Sequence, residues 1–342
     1  MRVNDIMRLI IVGFGIVGQN LAKIIERKKM ELLSEFGFRP RIVAIVDAAG
    51  AMIDSQGLDL DGALSVKKKG SVAHDPELGH LMMGAQEVIE NIEAESVVEL
   101  TPTKMVDGEP GLSHIKTALR CRKHVITANK APLAIAMASL MEMASYNGVL
   151  LKYSGTVGGG TPILDFAEKC LSGNKIQSIQ GILNGTTNYI LTRMTESGVS
   201  MDAALKEAQA SGYAEADPSS DVDGIDAACK LVILANSTMK RDVSMKDVEV
   251  EGIRRVTRED VEAAKEKGSR IKLVGTIDDG IRVRPEPVPL GHPLCVGGTL
   301  NAVLFRTELA GEFTIVGKGA GGPETASAVL RDIIDVRRSM AQ

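Results

Sequence analysis

The chain has no tryptophan, only 3% aromatic residues and a net charge of −4, so it lacks the features of a nucleic-acid partner. Such proteins need flat side chains for base stacking and clustered basic residues for the phosphates. Its four cysteines stand at positions 121, 170, 229 and 295 and form no CxxC motif. This spacing argues against a zinc knuckle or a disulfide scaffold and predicts a protein of the reducing cytoplasm.

Long apolar runs are absent as well. The longest candidate, residues 133–144, is interrupted by Ser139 and Glu142, and it falls short of the roughly 18 residues that a membrane helix needs. The glycine-broken N-terminus lacks a signal-peptide cleavage site. A 342-residue chain with 44% hydrophobic residues is therefore expected to form two soluble globular domains with no membrane partner.

A nucleotide-binding pattern lies near the N-terminus. An apolar run at 9–12 precedes Gly13, Gly15 and Gly18, which form a G-x-G-x-x-G motif, and apolar residues at helical spacing follow. The glycines allow a tight turn and a close approach of a pyrophosphate to the helix N-terminus, where free N–H groups favour an anion. The pattern predicts a site for NAD or NADP.

The end of the second predicted strand bears on the choice of cofactor. This strand, residues 41–47, ends in Asp47, a carboxylate that can bind the ribose hydroxyls of NAD and repel the 2′-phosphate of NADP. The lysines at 67–69 would instead attract that phosphate, or form an ordinary solvated face. The sequence leaves the choice between NAD and NADP open.

Two domains are predicted from the order of elements. Strands alternate with helices over residues 1–150, which indicates a Rossmann-type, doubly wound parallel sheet for NAD(P). Thr101, Lys130 and the 158–160 glycines fall at the carboxyl ends of its strands, where ligands bind. Strand-like segments at 243–316 predict an α+β substrate-binding and catalytic domain over 151–316, with a mixed sheet that forms a homodimer. The tail, 317–342, is expected to pack back on the nucleotide domain as a helix.

Segment 212–235 is unusually acidic. Before Lys230 it carries five carboxylates, Glu215, Asp217, Asp221, Asp223 and Asp226. A calcium loop is excluded, because Lys230 stands where the last ligand should be. A capped helix, with Asp223 as its N-cap or as an acid near its start, would explain only Asp223 and the i,i+4 pair of Asp226 with Lys230. The third interpretation is a site for the ammonium group of an amino acid, with a lysine for proton transfer because no histidine lies nearby in sequence.

Several motifs of the chain resemble homoserine dehydrogenase, in its short form without a kinase or regulatory domain. They include "TANKAPL" at 127–133, "GILNGTTNYIL" at 181–191 and the acidic segment itself, together with 155–163 and 317–333. The resemblance covers residues 9–336, with the motifs in the family's order. It implies NAD(P)-dependent interconversion of L-homoserine and L-aspartate 4-semialdehyde, on the route to threonine, methionine and isoleucine.

The resemblance also implies roles for individual residues. Glu215, Asp226 and Lys130 would contact the substrate, with Lys230 in the same pocket, and Asp221 of the acidic segment is a further substrate-binding candidate. The implied cofactor contacts, besides Lys130, are Gly13, Gly15, Val17, Gly18, Thr101 and Gly319. A sodium ion would be held by the carbonyls of Val157, Gly159 and Thr161, although this chain has Ser154-Gly155 where the family commonly has Glu-Ala.

Lysine chemistry predicts the pH dependence of the reaction. The reference pKa of lysine is about 10.4, so it is an ammonium at neutral pH, ready to protonate the aldehyde oxygen as it is reduced. Homoserine oxidation needs the neutral amine and should be fastest at alkaline pH. Lys130, Lys230 and Asp226 are the catalytic candidates, and the two lysines are expected to meet beside the nicotinamide. The alternatives are another amino-acid or semialdehyde dehydrogenase on the same scaffold, or a nucleotide-sensing protein without catalysis.

Overall fold

The computed structural model describes residues 5–340, which fall into two compact units. The first comprises the described residues up to Thr156 together with those from Gly322 onward, and the second is Val157–Gly321. The chain therefore leaves the first unit once and returns to it with its last helix.

A seven-stranded sheet forms the centre of the first unit. Its strands are β1 (Ile6–Val12), β2 (Arg39–Asp47), β3 (Gly50–Ile53), β4 (Gly79–Leu81), β5 (Ser96–Glu99), β6 (His124–Thr127) and β7 (Leu151–Lys152). Their spatial order is β4-β3-β2-β1-β5-β6-β7, and the five strands from β2 to β7 run parallel. The predicted doubly wound parallel sheet is confirmed. The antiparallel edge formed by β3 and β4 was not predicted.

The helices of the first unit bury their apolar residues against this sheet. They are α1 (Ile16–Phe36), α2 (Leu60–Lys68), α3 (Ala85–Asn91), α4 (Gly111–Arg120), α5 (Lys130–Asn147) and the C-terminal helix (Gly322–Met340). Leu21 and Ile25 of α1 share one buried cluster with Val329 and Ile333 of the C-terminal helix. The C-terminal helix begins at Gly322, because residues 311–318 form a strand of the second unit.

The second unit contains a six-stranded mixed sheet. Its strands are β8 (Ile176–Ile182), β9 (Glu249–Val250), β10 (Ser269–Ile277), β11 (Ile281–Pro289), β12 (Leu300–Thr307) and β13 (Gly311–Lys318). The order is β13-β12-β8-β10-β11-β9, antiparallel except where β9 joins β11. This confirms the mixed sheet predicted from the strand-like segments.

Five helices accompany that sheet, besides a short turn, α6 (Ile163–Asp165). They are α7 (Gly185–Ser197), α8 (Met201–Ala210), α9 (Ser219–Val222), α10 (Ile225–Thr238) and α11 (Arg258–Glu266). Helix α10 is buried from Asp226 to Ala235, and Leu231 packs against Gly275 of β10. Among residues 5–340, no helix combines the length and the apolarity needed to cross a bilayer.

Candidate active site

The glycine-rich turn links β1 to α1 as the motif predicts. Gly13 has a φ of +97°, and a methyl group at this position would lie 2.5 Å from the carbonyl carbon of Leu100. A methyl group on Gly18 would meet the carbonyl oxygen of Gly13 at the same distance. Gly15 is the N-cap of α1 without a side-chain cap, so no side chain competes for the N–H groups of the first turn. These features suit a pyrophosphate at a helix N-terminus.

The carboxyl end of β5 faces this turn and carries Thr101. Both the backbone N–H and the hydroxyl of Thr101 donate to Glu99, which is fully buried. The other carboxylate oxygen of Glu99 accepts a 3.2 Å hydrogen bond from Thr127 at the end of β6. Glu99 thus joins the ends of two neighbouring strands. It has no recognisable signal in the sequence, because an acid at the end of an apolar strand is common.

Lys130 is the first residue of α5. The preceding Asn129 caps the helix, its side-chain oxygen accepting from the N–H of Ala131 at 3.3 Å, and its amide nitrogen donates to Thr101 at 3.3 Å. The backbone that carries Lys130 is therefore tied to the Thr101 turn, at the carboxyl edge of the parallel sheet where it was expected.

Asp47 lies at the end of β2, but the chain itself already uses both of its carboxylate oxygens. One accepts from Ser71 at 2.6 Å and the other from Lys67 at 2.7 Å, and the N–H groups of Ala49 and Val72 complete the set. Burial disfavours the ionised carboxylate, but the hydrogen bonds from Lys67 and Ser71 outweigh it and lower the pKa of Asp47. The binding of ribose hydroxyls by Asp47 stays a prediction. Lys67 does not simply belong to a solvated lysine face, because its ammonium binds Asp47.

The five carboxylates of the acidic segment have different environments. Asp217 accepts from the N–H of Ser219, and Asp223 forms an exposed ion pair with Arg254. The prediction of Asp223 as an N-cap was wrong, because Gly224, in a left-handed conformation, precedes α10 instead. Glu215 is exposed in the preceding loop. Only Asp221 and Asp226 come together.

Asn184 brings those two carboxylates together. Its amide nitrogen donates to Asp221 Oδ1 at 2.6 Å and to Asp226 Oδ2 at 2.9 Å, while its side-chain oxygen caps α7 by accepting from the N–H of Thr187 at 2.8 Å. Sequence reasoning missed this residue. An Asn before a helix is a common capping signal, but the amide's contact with two distant acids is visible only in the fold.

Lys230 lies one turn beyond Asp226 on α10, and 6% of it is exposed. Its ammonium donates to Asp226 Oδ2 at 2.7 Å and to the backbone carbonyl of Leu183 at 2.6 Å. The predicted i,i+4 pair is confirmed. An ammonium has three N–H donors, and within residues 5–340 two of those of Lys230 bind Asp226 and Leu183, so the third is able to bind a ligand oxygen.

Asp221 has a raised pKa. Burial disfavours its charged form, and the neighbouring Asp226 adds a like charge, while the hydrogen bond from Asn184 acts in the opposite direction. Two acids and one buried lysine in a small polar cluster are a suitable environment for a substrate ammonium group and for proton transfer.

The loop from Val157 to Thr161 packs against the end of β13 within the second unit. Thr161 donates to the carbonyl of Lys318 at 3.1 Å, and a methyl group on Gly159 would lie 2.9 Å from the carbonyl oxygen of Gly319. Among the described residues, the carbonyls of Val157 and Gly159 accept no hydrogen bond, whereas that of Thr161 accepts from Ile163 at 2.8 Å. Free oxygen donors of this kind suit a hard cation such as sodium. No cluster of three metal-ligating His, Cys, Asp or Glu side chains occurs in residues 5–340.

Comparison with known proteins gives a consistent result. The homoserine dehydrogenase family model matches residues 162–334. A homoserine dehydrogenase of Methanocaldococcus jannaschii is 47% identical over 97% of this chain and 99% of the relative, and an NAD(+)-dependent homoserine dehydrogenase of Pseudomonas canavaninivorans is 39% identical over 97% and 96%. A solved hyperthermophilic archaeal homoserine dehydrogenase in complex with NADPH is 32% identical, with a TM-score of 0.86 over 98% of each chain. The chain therefore belongs to the homoserine dehydrogenase family.

Proposed function

We propose that lysine side chains transfer the substrate proton in this homoserine dehydrogenase, an NAD(P)-dependent oxidoreductase of amino-acid biosynthesis. The observation that carries the proposal is the Lys230 ammonium, held by Asp226 and the Leu183 carbonyl with one N–H to spare. Lys130, at the start of α5, is the second lysine of the proton-transfer pair.

The residues divide the chemistry between them. The dinucleotide, when bound, supplies the hydride in one direction and accepts it in the other. As the semialdehyde is reduced, its carbonyl carbon gains the hydride, the π bond opens, and the oxygen takes a proton from a lysine ammonium. In homoserine oxidation the neutral amine takes that proton back. Asp226 holds the lysine beside the reacting oxygen in both directions.

Acidic side chains bind the amino end of the substrate in this proposal. The buried Asp226 and the half-buried Asp221 supply the negative charge, and the exposed Glu215 completes the site from its loop. A positive ammonium group relieves the repulsion between Asp221 and Asp226, which gives the site a preference for an amino acid over a simple alcohol.

The remaining elements follow the family pattern. Gly13, Gly15, Val17, Gly18, Thr101 and Gly319 contact NAD or NADP, and Val157, Gly159 and Thr161 hold sodium through their carbonyls. Residues up to 150 form the NAD(P)-binding domain with the C-terminal helix, and residues 151–316 form the catalytic domain of a homodimer. The protein works in the cytoplasm on small-molecule substrates.

The test follows the absorbance of NADH and of NADPH after addition of L-aspartate 4-semialdehyde, with an aldehyde lacking the amino group as the control. We expect oxidation of one or both cofactors with the amino-acid substrate, and fastest homoserine oxidation at alkaline pH. Lys130→Ala should lower kcat by about 10²–10⁴ if Lys130 transfers the proton. An oxidation optimum near pH 6.5 would reject a lysine base, and a loss confined to KM would reassign Lys130 to binding.

A further inference from the structure

Asn301 on β12 contacts the same backbone carbonyl as the candidate proton-transfer lysine, Lys230. Its side chain is 1% exposed, and its amide nitrogen donates to the carbonyl oxygen of Leu183 at 3.0 Å. The same carbonyl accepts the 2.6 Å hydrogen bond from Lys230. One backbone oxygen is thus shared by the ammonium and by the carboxamide, so a shift of Asn301 moves an anchor of Lys230.

The other side of the Asn301 carboxamide touches the predicted cofactor contact Gly319. A methyl group at position 319 would overlap the amide nitrogen, the carbonyl carbon and the oxygen of Asn301. The backbone of Gly319 does not adopt a positive φ, so alanine is acceptable to its conformation. The steric requirement for glycine at this position comes from Asn301.

Asn301 also leaves its side-chain oxygen unused. This atom is buried and has no hydrogen-bond partner among the described residues. A buried polar atom without a partner costs stability. The carboxamide is therefore held in place by its contacts with Leu183 and Gly319 rather than by satisfaction of both its polar atoms.

We propose that Asn301 is a positioning residue that couples Lys230 to the Gly319 loop. Its amide fixes the Leu183 carbonyl that anchors the ammonium, and its bulk limits how closely the backbone of Gly319 approaches. The inference rests on the proposed roles of Lys230 and Gly319. It predicts that changes at Asn301 affect turnover through Lys230 and dinucleotide affinity through Gly319.

The first experiment compares Asn301→Asp with Asn188→Asp. Asn188 is also 1% exposed and donates to a backbone carbonyl, that of Leu300 at 2.9 Å, so both variants lose a buried hydrogen bond to a backbone carbonyl, although the side-chain oxygen at position 188 keeps Lys272 as its partner. Only Asn301 shares its acceptor with Lys230. We expect Asn301→Asp to lower kcat by about 10- to 100-fold, with KM for homoserine changed less than about threefold, and Asn188→Asp to keep kcat within about threefold. Equal losses of kcat, or an unchanged kcat in Asn301→Asp, would overturn the proposal.

The second experiment does not depend on one variant folding well. Dissociation constants for NADH and NADPH are measured by fluorescence for Gly319→Ala, Asn301→Ala and the double variant. We expect Gly319→Ala to weaken binding by at least about tenfold and the added Asn301→Ala to recover most of that loss, because contacting residues are not additive. Additive losses, or no loss in Gly319→Ala, would refute the coupling.

Lys230→Ala is assayed in the same series. If it retained kcat, the proposed role of Lys230 would fail while the steric coupling of Asn301 to Gly319 would still be tested by the binding cycle.

Discussion

The second unit buries two lysines, and their surroundings differ. Lys230 on α10 is 6% exposed and donates to the carboxylate of Asp226. Lys272 on β10 is 1% exposed and donates only to neutral oxygens, at 2.7 Å to Asn188 and at 3.3 Å to Thr192. Burial lowers the pKa of Lys272 to about 8. Burial by itself therefore does not distinguish a candidate catalytic lysine from a structural one.

The difference lies in what each ammonium touches. Lys230 belongs to a polar cluster with Asp221, Asp226 and Asn184. The ammonium of Lys230 keeps a third N–H that can bind a ligand. Lys272 joins β10 to two side chains of α7, Asn188 and Thr192, as expected of a structural contact. Since Asn188 lies one turn after Asn184 on α7, the structural lysine supports the helix whose N-cap carries the candidate active site.

The largest expected effect is a difference in kcat between variants of the two lysines. Lys230→Met should lower kcat by about 10²–10⁴, because it removes the proton donor and the cation that neutralises the buried carboxylate of Asp226. Lys272→Met should change kcat by less than about threefold. Steady-state kinetics in both directions measure this, with circular dichroism to confirm folding. Comparable losses in the two variants would remove the distinction.

An intermediate effect concerns Asp221, an acid of the cluster around Lys230. Because its pKa is raised, Asp221 takes up a proton at a higher pH than an ordinary aspartate does, and it then loses its attraction for the substrate ammonium. KM for homoserine should therefore rise as the pH falls through the weakly acidic range. In Asp221→Asn, KM should be about tenfold higher at neutral pH and should lose that acidic rise. An acidic rise that persists in the variant would assign it to another group.

The smallest effect is on stability. Below about pH 8 both folded and unfolded chains keep the Lys272 proton, and the cost of the buried charge is fully present. Between that value and the ordinary 10.5 the folded chain has released the proton and the unfolded chain has not, so the free energy of unfolding rises with pH. Wild type should gain about 1.5 kcal/mol over Lys272→Met from pH 8 to pH 9.5, because the folded lysine is half deprotonated at pH 8 and almost fully so at pH 9.5. Urea unfolding at both pH values measures the gain, and parallel changes would contradict it.

Much of the fold was predictable, because its signals are local. The glycines at 13, 15 and 18 follow a buried apolar strand, and the alternation of elements predicted a parallel sheet. The β3–β4 edge was missed since its strands are short, and the C-terminal helix begins at Gly322 because the preceding glycine-rich residues extend a strand and a turn.

Less of the candidate site was predictable. The spacing of Asp226 and Lys230 on one helix face predicted their ion pair, since residues four apart are neighbours on a helix. The contacts that build the site are distant in sequence: Asn184 lies 37 and 42 residues from the two acids it binds, Glu99 lies 28 residues from Thr127, and Asn301 lies 118 residues from Leu183. No local pattern indicates such contacts.

The sequence by itself determined which elements form and which face of α10 carries an acid and a base, because side-chain spacing and apolar periodicity act over a few residues. Only the tertiary structure decided that Asp221 joins Asp226 while Asp217, Asp223 and Glu215 do not, that Asp47 is already bound by Lys67, and that Lys272 donates to the neutral oxygens of Asn188 and Thr192. Those outcomes depend on which strands and helices meet, and electrostatic and hydrogen-bonding contacts follow from distance in space rather than along the chain.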